Sequence, residues 1–444
     1  MKFKKILSLA VASMIAFTIT GCGTSTQSNS GAGSTNSTSG TAKSLSVDIW
    51  DSNQQAGIQK ICDKWTETSG VPVKVEVVDW NNYWTLLEAG ASGGTLPDVF
   101  WMHSDYSRIY MENDMLLDLT DRISKDGVDT SMYYPDITSI YQFNGKTYAM
   151  PKDHDTIGLL YNKKLFDEAG VEYPNSNWTY ENMYEAAKKI TEGTPDGTYG
   201  YALNTTNDQD GWYNIVYSYG GNIVNKEKTD TAIDSASSKK AMEMVRKLLT
   251  VAVPQADVAE NGTDSLFKSG KVAMITQGSW MIQSFYSAEN AADYAWAEIP
   301  YADVNGDGKC QASERSTQYN GLGWAASAKT ADPDSAWSLI KYLSSKEGQE
   351  MQSELGVTMS SIPGSSDAFA SSFKGMDVSA FINVEKDGTL QARPGTRNSG
   401  VWQAPMKQEA GFLPAWQDPS NADLMSSCCD KVAALIRNAI AEGN

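Results

Sequence analysis

Residues Asp303–Glu314, reading DVNGDGKCQASE, carry the sharpest chemical signal in the chain. They match D-x-[DN]-x-[DN]-G-x5-E, the oxygen spacing of a calcium loop. Asp303, Asn305 and Asp307 would be side-chain ligands, Gly308 the sharp turn, Lys309 a carbonyl ligand and Glu314 the bidentate last ligand; Gln311 would act directly or through water. Asn-Gly and Asp-Gly are turn signals in their own right. Five specified positions exceed what a turn requires, so one structural calcium ion is expected here. The flanks read as strands, which argues against a sensor-type opening.

The second chemical stretch is Tyr148–Phe166, in which two apolar strands are interrupted by Pro151 and by Lys152, Asp153, His154 and Asp155. Such an interruption suits a crossing between lobes and sets carboxylates where a cleft would open. Covalent catalysis has little to work with. The chain holds two histidines, His103 and His154, and no G-x-S-x-G elbow. Glycoside hydrolysis needs only a carboxylate pair, and an acidic chain offers many without singling one out. No Cys/His spacing suits zinc. The 13 Trp and 21 Tyr build cores first, yet their flat faces and polar edges also suit the C–H faces of sugar rings.

At 444 residues the chain exceeds what one growing core supports, so two lobes are expected. Lys2, Lys4 and Lys5 precede the apolar run Ile6–Thr20, which is too short to span a bilayer and reads as a signal peptide over residues 1–21. Its end, Ile19-Thr20-Gly21-Cys22, resembles a bacterial lipobox. That resemblance implies cleavage before Cys22 and a diacylglycerol thioether on the new N-terminal cysteine, with palmitate among its acyl chains. Residues 22–43, rich in Ser, Thr, Gly and Asn, form a flexible tether with a reach of roughly 25 Å. Without the three leader lysines, 33 basic residues face 54 acidic ones, which excludes nucleic acid as a partner. Cys62 and Cys428 fall on apolar helix faces and read as buried thiols; with Cys310 and Cys429 a disulfide is permitted, its connectivity open.

The elements that position these residues begin as a βαβ unit: strand Leu45–Trp50, helix Ala56–Thr66 and strand Val71–Val78. Helix Trp84–Ala91 and a strand entered through Pro97 follow. In open α/β sheets ligands gather beyond the carboxyl ends of strands, here Asp51–Asn53, Asp79–Asn82 and Trp101–Asp105. Further on come helices Thr179–Thr191 and Ser237–Thr250, strands Val272–Thr276, Tyr294–Ile299 and Gly321–Ala328, and a helix begun by Asp332-Pro333. Ser360–Ser379 is Ser/Gly-rich and reads as loop. Ala422–Glu442 closes the chain as a helix.

The order of several segments resembles the family 1 extracellular solute-binding proteins of ATP-binding-cassette sugar importers, lipoproteins of the maltose-binding type. The segments are Ile49-Trp50, Leu96-Pro97-Asp98-Val99-Phe100-Trp101, Asn144–Pro151, Leu160-Tyr161-Asn162-Lys163, Trp178-Thr179, Phe267–Trp280 and Gly323-Trp324-Ala325. The resemblance implies an α/β fold of the two-lobed periplasmic-binding-protein type (type II), with hinge crossings and an inter-lobe ligand cleft. Crossings would fall near Lys152–Asp155, Pro300–Ala302 and Glu354–Ser361. The N-terminal lobe would be 44–152 plus 302–354, and the C-terminal lobe 153–301 plus 355–444.

By the same resemblance, the sugar-contacting positions are Asp51, Asn53, Trp101, His103, Asp105, Asp155, Trp212, Tyr213, Trp280 and Trp402, with Arg397 and its neighbour Arg393 as charged additions. Carboxylates would accept from sugar hydroxyls and Trp faces would stack on rings. Each has a plainer reading: Asp51 as a helix cap, Asp105 as a solvated charge, His103 as a satisfied histidine, Trp402 as core. Trp50 and Trp324 read as core. The implied partners are a mono- or oligosaccharide, the transmembrane subunits of an ABC transporter and, through Cys22, the membrane. The protein would be a monomer on the extracytoplasmic face of the cell membrane of a Gram-positive bacterium, with no catalysis. The rival is a cell-surface glycoside hydrolase using a carboxylate pair.

Overall fold

The computed structural model describes residues 44–443. The signal peptide, Cys22 and the tether lie outside those residues. The strands are β1 Leu45–Ile49, β2 Val73–Val77, β3 Val99–Met102, β4 Gln142–Phe143, β5 Lys146–Thr147, β6 Ala149–Pro151, β7 Ile157–Asn162, β8 Tyr199–Ala202, β9 Val272–Gly278, β10 Tyr294–Glu298, β11 Ser316–Tyr319, β12 Gly323–Ala326 and β13 Thr389–Ala392.

Two open sheets organise two lobes. The first has the order β2-β1-β3-β12-β6, the second β10-β7-β9-β8. In the first, β1 pairs in parallel with β2 and β3, while β12 runs antiparallel to β3 and β6, placing Trp324 opposite Trp101 and Met150. In the second, β7 runs antiparallel to β9 and β10. The sequence patterns explain the placement: β3 (VFWM) and β7 (IGLLYN) are buried at every position, as strands covered by helices on both faces must be. Edge strand β2 alternates instead, with Lys74 exposed. At Gly200 a Cβ would stand 2.1 Å from the Ala187 carbonyl oxygen, so only glycine lets β8 approach its covering helix.

The chain passes from the first sheet to the second between Pro151 and Ile157, where proline ends β6. A later passage, after the helices Pro333–Ser344 and Lys346–Glu354, lies alongside it: His154 N–H donates to the Met359 carbonyl at 3.4 Å. Gln349 and Gln352 both donate to the Lys152 carbonyl, at 2.7 and 3.0 Å. A buried carboxylate ties the two lobes here. Glu385, on the helix Ala380–Asp387 that packs on the second sheet, accepts from Tyr134 Oη and lies 3.3 Å from His154 Nε2.

Three sequence expectations shift. The first helix runs Ser52–Ser69, starting before Ala56 because Asp51 accepts the Asn53 N–H and caps it. The second starts at Trp80, capped by Asp79. Within Ser360–Ser379 a helix forms over Asp367–Ser372, since Phe369 and Phe373 bury against the second sheet's core and outweigh the Ser/Gly composition. Among the described residues Cys62, Cys310, Cys428 and Cys429 carry free thiols.

Candidate functional site

The first lobe presents a buried polar chain beyond its strand ends. Lys152, fully buried, donates to Asp153 Oδ2 at 2.6 Å and to Gln54 Oε1 at 3.1 Å, and its Nζ stands 4.4 Å over the Trp101 ring. Gln54 donates on to Asp51 Oδ2 at 3.0 Å, and Asp153 Oδ1 accepts the Leu322 N–H at 2.7 Å. The two strand-end loops and the crossing are thereby locked into one frame. Asp51 Oδ1 also holds the exposed Asn53 through its N–H at 2.8 Å and its amide at 3.0 Å.

Beside this frame lies a cluster drawn from both lobes. Asp105 sits in the first turn of the helix Ser104–Glu112, which His103 caps. Its carboxylate makes a bidentate pair with Arg393, at 2.8 and 2.9 Å. Arg393, just past β13, also reaches Gln209 Oε1 at 3.3 Å, and Gln209 donates to Asp155 Oδ1 at 2.5 Å. The Asn320 N–H donates to that same Asp155 oxygen at 2.9 Å, and the Asn320 side chain stands 3.3 Å from His103 Nε2. Thus Asp105, His103 and Asp155 meet through Arg393, Gln209 and Asn320.

Electrostatics divide the carboxyls. Burial pushes Asp105 up, but Arg393 and then His103 outweigh it and hold it at about 2. Asp155 goes the other way: burial, then the nearby Asp153 charge, raises it well above the usual range. Burial lowers the His103 imidazole to about 4 against the pull of Asp105, leaving it neutral at pH 7. Its Nδ1 accepts the Asp105 N–H at 3.2 Å. The cluster therefore offers a fixed anion, a fixed cation, a carboxyl biased to its protonated form and several amides, which suits hydroxyl groups that both donate and accept.

An aromatic platform adjoins it. Trp80, 40% exposed at the start of its helix, stands edge-on to Trp50 at 5.1 Å and to His103 at 5.4 Å between ring centroids. Tyr106 lies 6.2 Å away and stacks on Trp84 at 3.7 Å.

The model of the bacterial extracellular solute-binding protein family matches residues 60–381. The chain belongs to that family. Among curated relatives, this solute-binding protein is 26% identical over 348 residues to a maltodextrin-binding protein of Bacillus subtilis, covering 76% of each chain. It is 22% identical over 284 residues to a putative binding protein of Brucella abortus, covering 63% of this chain and 66% of that one. It thus spans about two thirds of that relative's length. Its fold is similar to an ABC substrate-binding protein of Listeria monocytogenes solved with cycloalternan, with TM-score 0.74, 21% identity and coverage of 90% of this chain and 98% of that one.

The remaining sequence candidates of this solute-binding protein are placed apart from the cluster or beneath it. Trp101, Trp212 and Trp402 are fully buried. Trp101 packs under Lys152, Trp212 donates to Asp208 at 2.9 Å and packs on Phe412, and Trp402 donates to Thr396 at 2.9 Å. Tyr213 is buried beside Trp212. Trp280 is half-buried after β9, its ring lying on Gly278, where a Cβ would stand 1.9 Å from a ring carbon. Arg397 is exposed, donating to the Gly443 carbonyl at 3.2 Å, with Glu112 3.6 Å away. Sequence reading passed over Gln209, Asn320 and Trp80; the strand-end rule pointed to Asp79–Asn82, and exposure alone marks Trp80 within it.

In the Asp303–Glu314 loop, side-chain oxygens hold the backbone turns. Asp303 Oδ2 accepts the Gly308 N–H at 3.1 Å, Asn305 the Asp307 N–H and Asp307 the Lys309 N–H, each at 2.9 Å. Glu314 accepts from Val304 and Gln311, each at 3.1 Å. Asp303 Oδ1 is enclosed without a partner. Gly308 takes φ +69°, the left-handed turn that the motif reserves for glycine. Among the described residues no group of three His, Cys, Asp or Glu side chains is close enough to hold a metal.

Proposed function

We propose that this protein captures a carbohydrate, an oligosaccharide, between its lobes and presents it to the transmembrane subunits of an ABC importer. One observation carries the reading: polar side chains from both lobes converge through Arg393 on Asp105 and Asp155, next to the exposed ring of Trp80. The names of the relatives, binding proteins for maltodextrin and similar ligands, support it and favour capture over hydrolysis. Ligand that contacts both lobes binds the closed arrangement better and shifts that population, with no covalent step. The moving bodies would be 44–152 with 302–354 and 153–301 with 355–444. Membership of an extracellular family places the protein outside the cytoplasm; an anchor at Cys22, in a Gram-positive envelope, and a monomeric state complete the proposal.

Calorimetry against an oligosaccharide panel tests it: saturable heat without new reducing ends is expected, and sustained release of reducing ends would reveal a hydrolase. Asp155→Ala removes the acceptor shared by Gln209 and Asn320, so glycan affinity should fall roughly 10- to 100-fold while the protein stays folded. Affinity equal to wild type would remove Asp155 from the ligand's contacts. Trp80→Ala should cost about tenfold through lost stacking, on the order of 1 kcal/mol.

We also propose that the Asp303–Glu314 loop takes calcium, on the strength of its ligand spacing and the unpaired Asp303 Oδ1. A melting temperature that rises with Ca²⁺ and falls with a chelator is the expected result. Asp303→Ala should abolish the response, and an unresponsive wild type would refute the assignment.

A further inference from the structure

One ribbon joins the Asp303–Glu314 loop to the polar cluster. β11 and β13 pair in parallel, Ser316 beside Thr389 through Tyr319 beside Ala392, and the residues that follow them are Asn320 and Arg393. Through these two side chains Asp105, His103 and Asp155 meet. The near end of the same ribbon is the end of the loop. Glu314 closes a single turn, Ala312–Glu314, just before β11 begins at Ser316. The Thr389 hydroxyl donates to the Ala312 carbonyl at 2.8 Å and its N–H to the Arg315 carbonyl at 3.0 Å, so β13 is tied to the loop as well. Extended chain from Glu314 to Asn320 covers roughly 20 Å.

Both strands are held along their length, so what fixes one end is felt at the other. β11 is buried at every position. Its Ser316 N–H donates to Ser218 Oγ at 3.0 Å and its Gln318 N–H to Asn214 Oδ1 at 2.7 Å. Asn214 donates in turn to the Gln209 carbonyl at 2.7 Å, which gives β11 a second route to the cluster. The junction with the loop is equally firm. Arg315, 5% exposed, lies 2.5 Å from Glu298 and donates to the Ile299 carbonyl at 3.1 Å, while the Ala302 N–H donates to the Glu314 carbonyl at 2.8 Å.

The loop is the looser part of this assembly. Residues 304–309 are exposed, and Asp303, Asp307 and Glu314 face only the charge of Lys309 within the loop. Repulsion among the three carboxylates opposes drawing the loop tight, and a divalent cation reverses that sign. Each Glu314 oxygen accepts one N–H, from Val304 or Gln311, and keeps a further lone pair. An ion taking those lone pairs together with Asp303 Oδ1 would pin both ends of the loop to the start of the ribbon. Glycan acts on the same ribbon from its far end, through Asn320 and Arg393. Two ligands that favour one arrangement of a shared element bind with positive coupling, and linkage makes the coupling reciprocal.

We infer that calcium at the Asp303–Glu314 loop is a positive effector of glycan capture, acting through the β11–β13 ribbon. Each ligand raises the affinity for the other by one common factor, about 5- to 50-fold. This rests on the calcium and carbohydrate readings above and adds a link that neither requires.

The test is calorimetry at fixed ionic strength on the full protein freed of metal by a chelator. Four affinities are measured: Ca²⁺ with and without saturating glycan, and glycan with and without saturating Ca²⁺. The glycan is the tightest binder from maltodextrin, galacto-oligosaccharide and chito-oligosaccharide series. Glycan affinity should rise at least fivefold with Ca²⁺, and Ca²⁺ affinity by the same factor with glycan. Asp303→Ala should make the two glycan affinities equal; a calcium effect that survives it would lie elsewhere on the acidic surface and overturn the inference. Thr389→Val cuts the hydroxyl tie between loop and β13, so the common factor should fall at least twofold. An undiminished factor would take the ribbon out of the coupling and also overturn it. Wild type that binds both ligands with affinities independent within twofold, or whose glycan affinity falls with Ca²⁺, overturns the inference and leaves both readings standing. No heat from Ca²⁺ in either state sinks the calcium reading, and no glycan bound sinks the carbohydrate reading; the coupling fails with either.

Discussion

Replacing Lys152 by methionine is expected to cost the fold about 3–5 kcal/mol, the largest loss of any single side chain in the site region. Its ammonium is fully buried between Asp153, Gln54 and the Trp101 face. Methionine fills the same channel but leaves the Asp153 carboxylate, itself 6% exposed, without its counter-charge. Removing one partner of a buried pair costs far more than removing both. Lys152→Met/Asp153→Asn should therefore recover a large part of the loss, although the asparagine still accepts the Leu322 N–H. Urea titrations of both variants check this. A Lys152→Met midpoint within experimental error of wild type would mean that water reaches Asp153 and that the frame is looser than the distances imply. Because Gln54 and Asp51 hang from the same ammonium, the single variant should also blur glycan binding before it unfolds.

How much of this was legible in the sequence differs by the range of the interaction that decides it. Local chemistry was readable: Pro151 ends a strand and the chain does cross to the second sheet there, and Thr179 caps its helix with a reciprocal Asn182 contact. Strand-end loops could be located for the same reason, since β-branched runs and amphipathic helices alternate from Leu45 onward. The direction in which a Trp points was not readable. Trp101, Trp212 and Trp402 satisfy or cover themselves within the core, through Lys152, Asp208 and Thr396, and no pattern near any of them encodes that. Arg393 was underrated for a similar reason. Its partner Asp105 is 288 positions away, so their pairing exists only once two lobes and a hinge ladder, β11 with β13, have formed. Gln209 and Asn320 are ordinary surface types until that fold buries them.

Acid should dissect this long-range cluster in two adjoining steps. The His103 ring has a folded pKa of about 4 against an ordinary value of about 6.5, because burial disfavours its cation. Unfolded chains take up that proton first, so the fold loses stability as pH falls from about 6.5 to about 4, by up to roughly 3 kcal/mol, and the loss then levels off. Asp105 acts below that window. Its folded value of about 2 lies under the ordinary value near 3.9, so its contribution is full above about 4 and disappears as pH falls through about 2, amounting to about 2 kcal/mol. Arg393→Met removes the cation that holds Asp105 down. Burial then raises the carboxyl above its ordinary value, so the second loss should disappear and give way to a gain as pH falls toward about 4, which offsets part of the His103 loss. The same variant frees Gln209 from one of its two partners, and glycan affinity at pH 7 should drop 10- to 100-fold, or about 1.5–3 kcal/mol. His103→Gln keeps an acceptor near the Asp105 N–H but cannot titrate, so it should flatten the upper step and, by removing the second of the groups that hold Asp105 down, move the lower step slightly up in pH. Urea titrations from pH 2.5 to 8 distinguish these outcomes: a wild-type profile flat between pH 6.5 and 4 would show that His103 is not held neutral, and an Arg393→Met profile unchanged below pH 4 would show that Asp105 owes its low pKa to something other than Arg393.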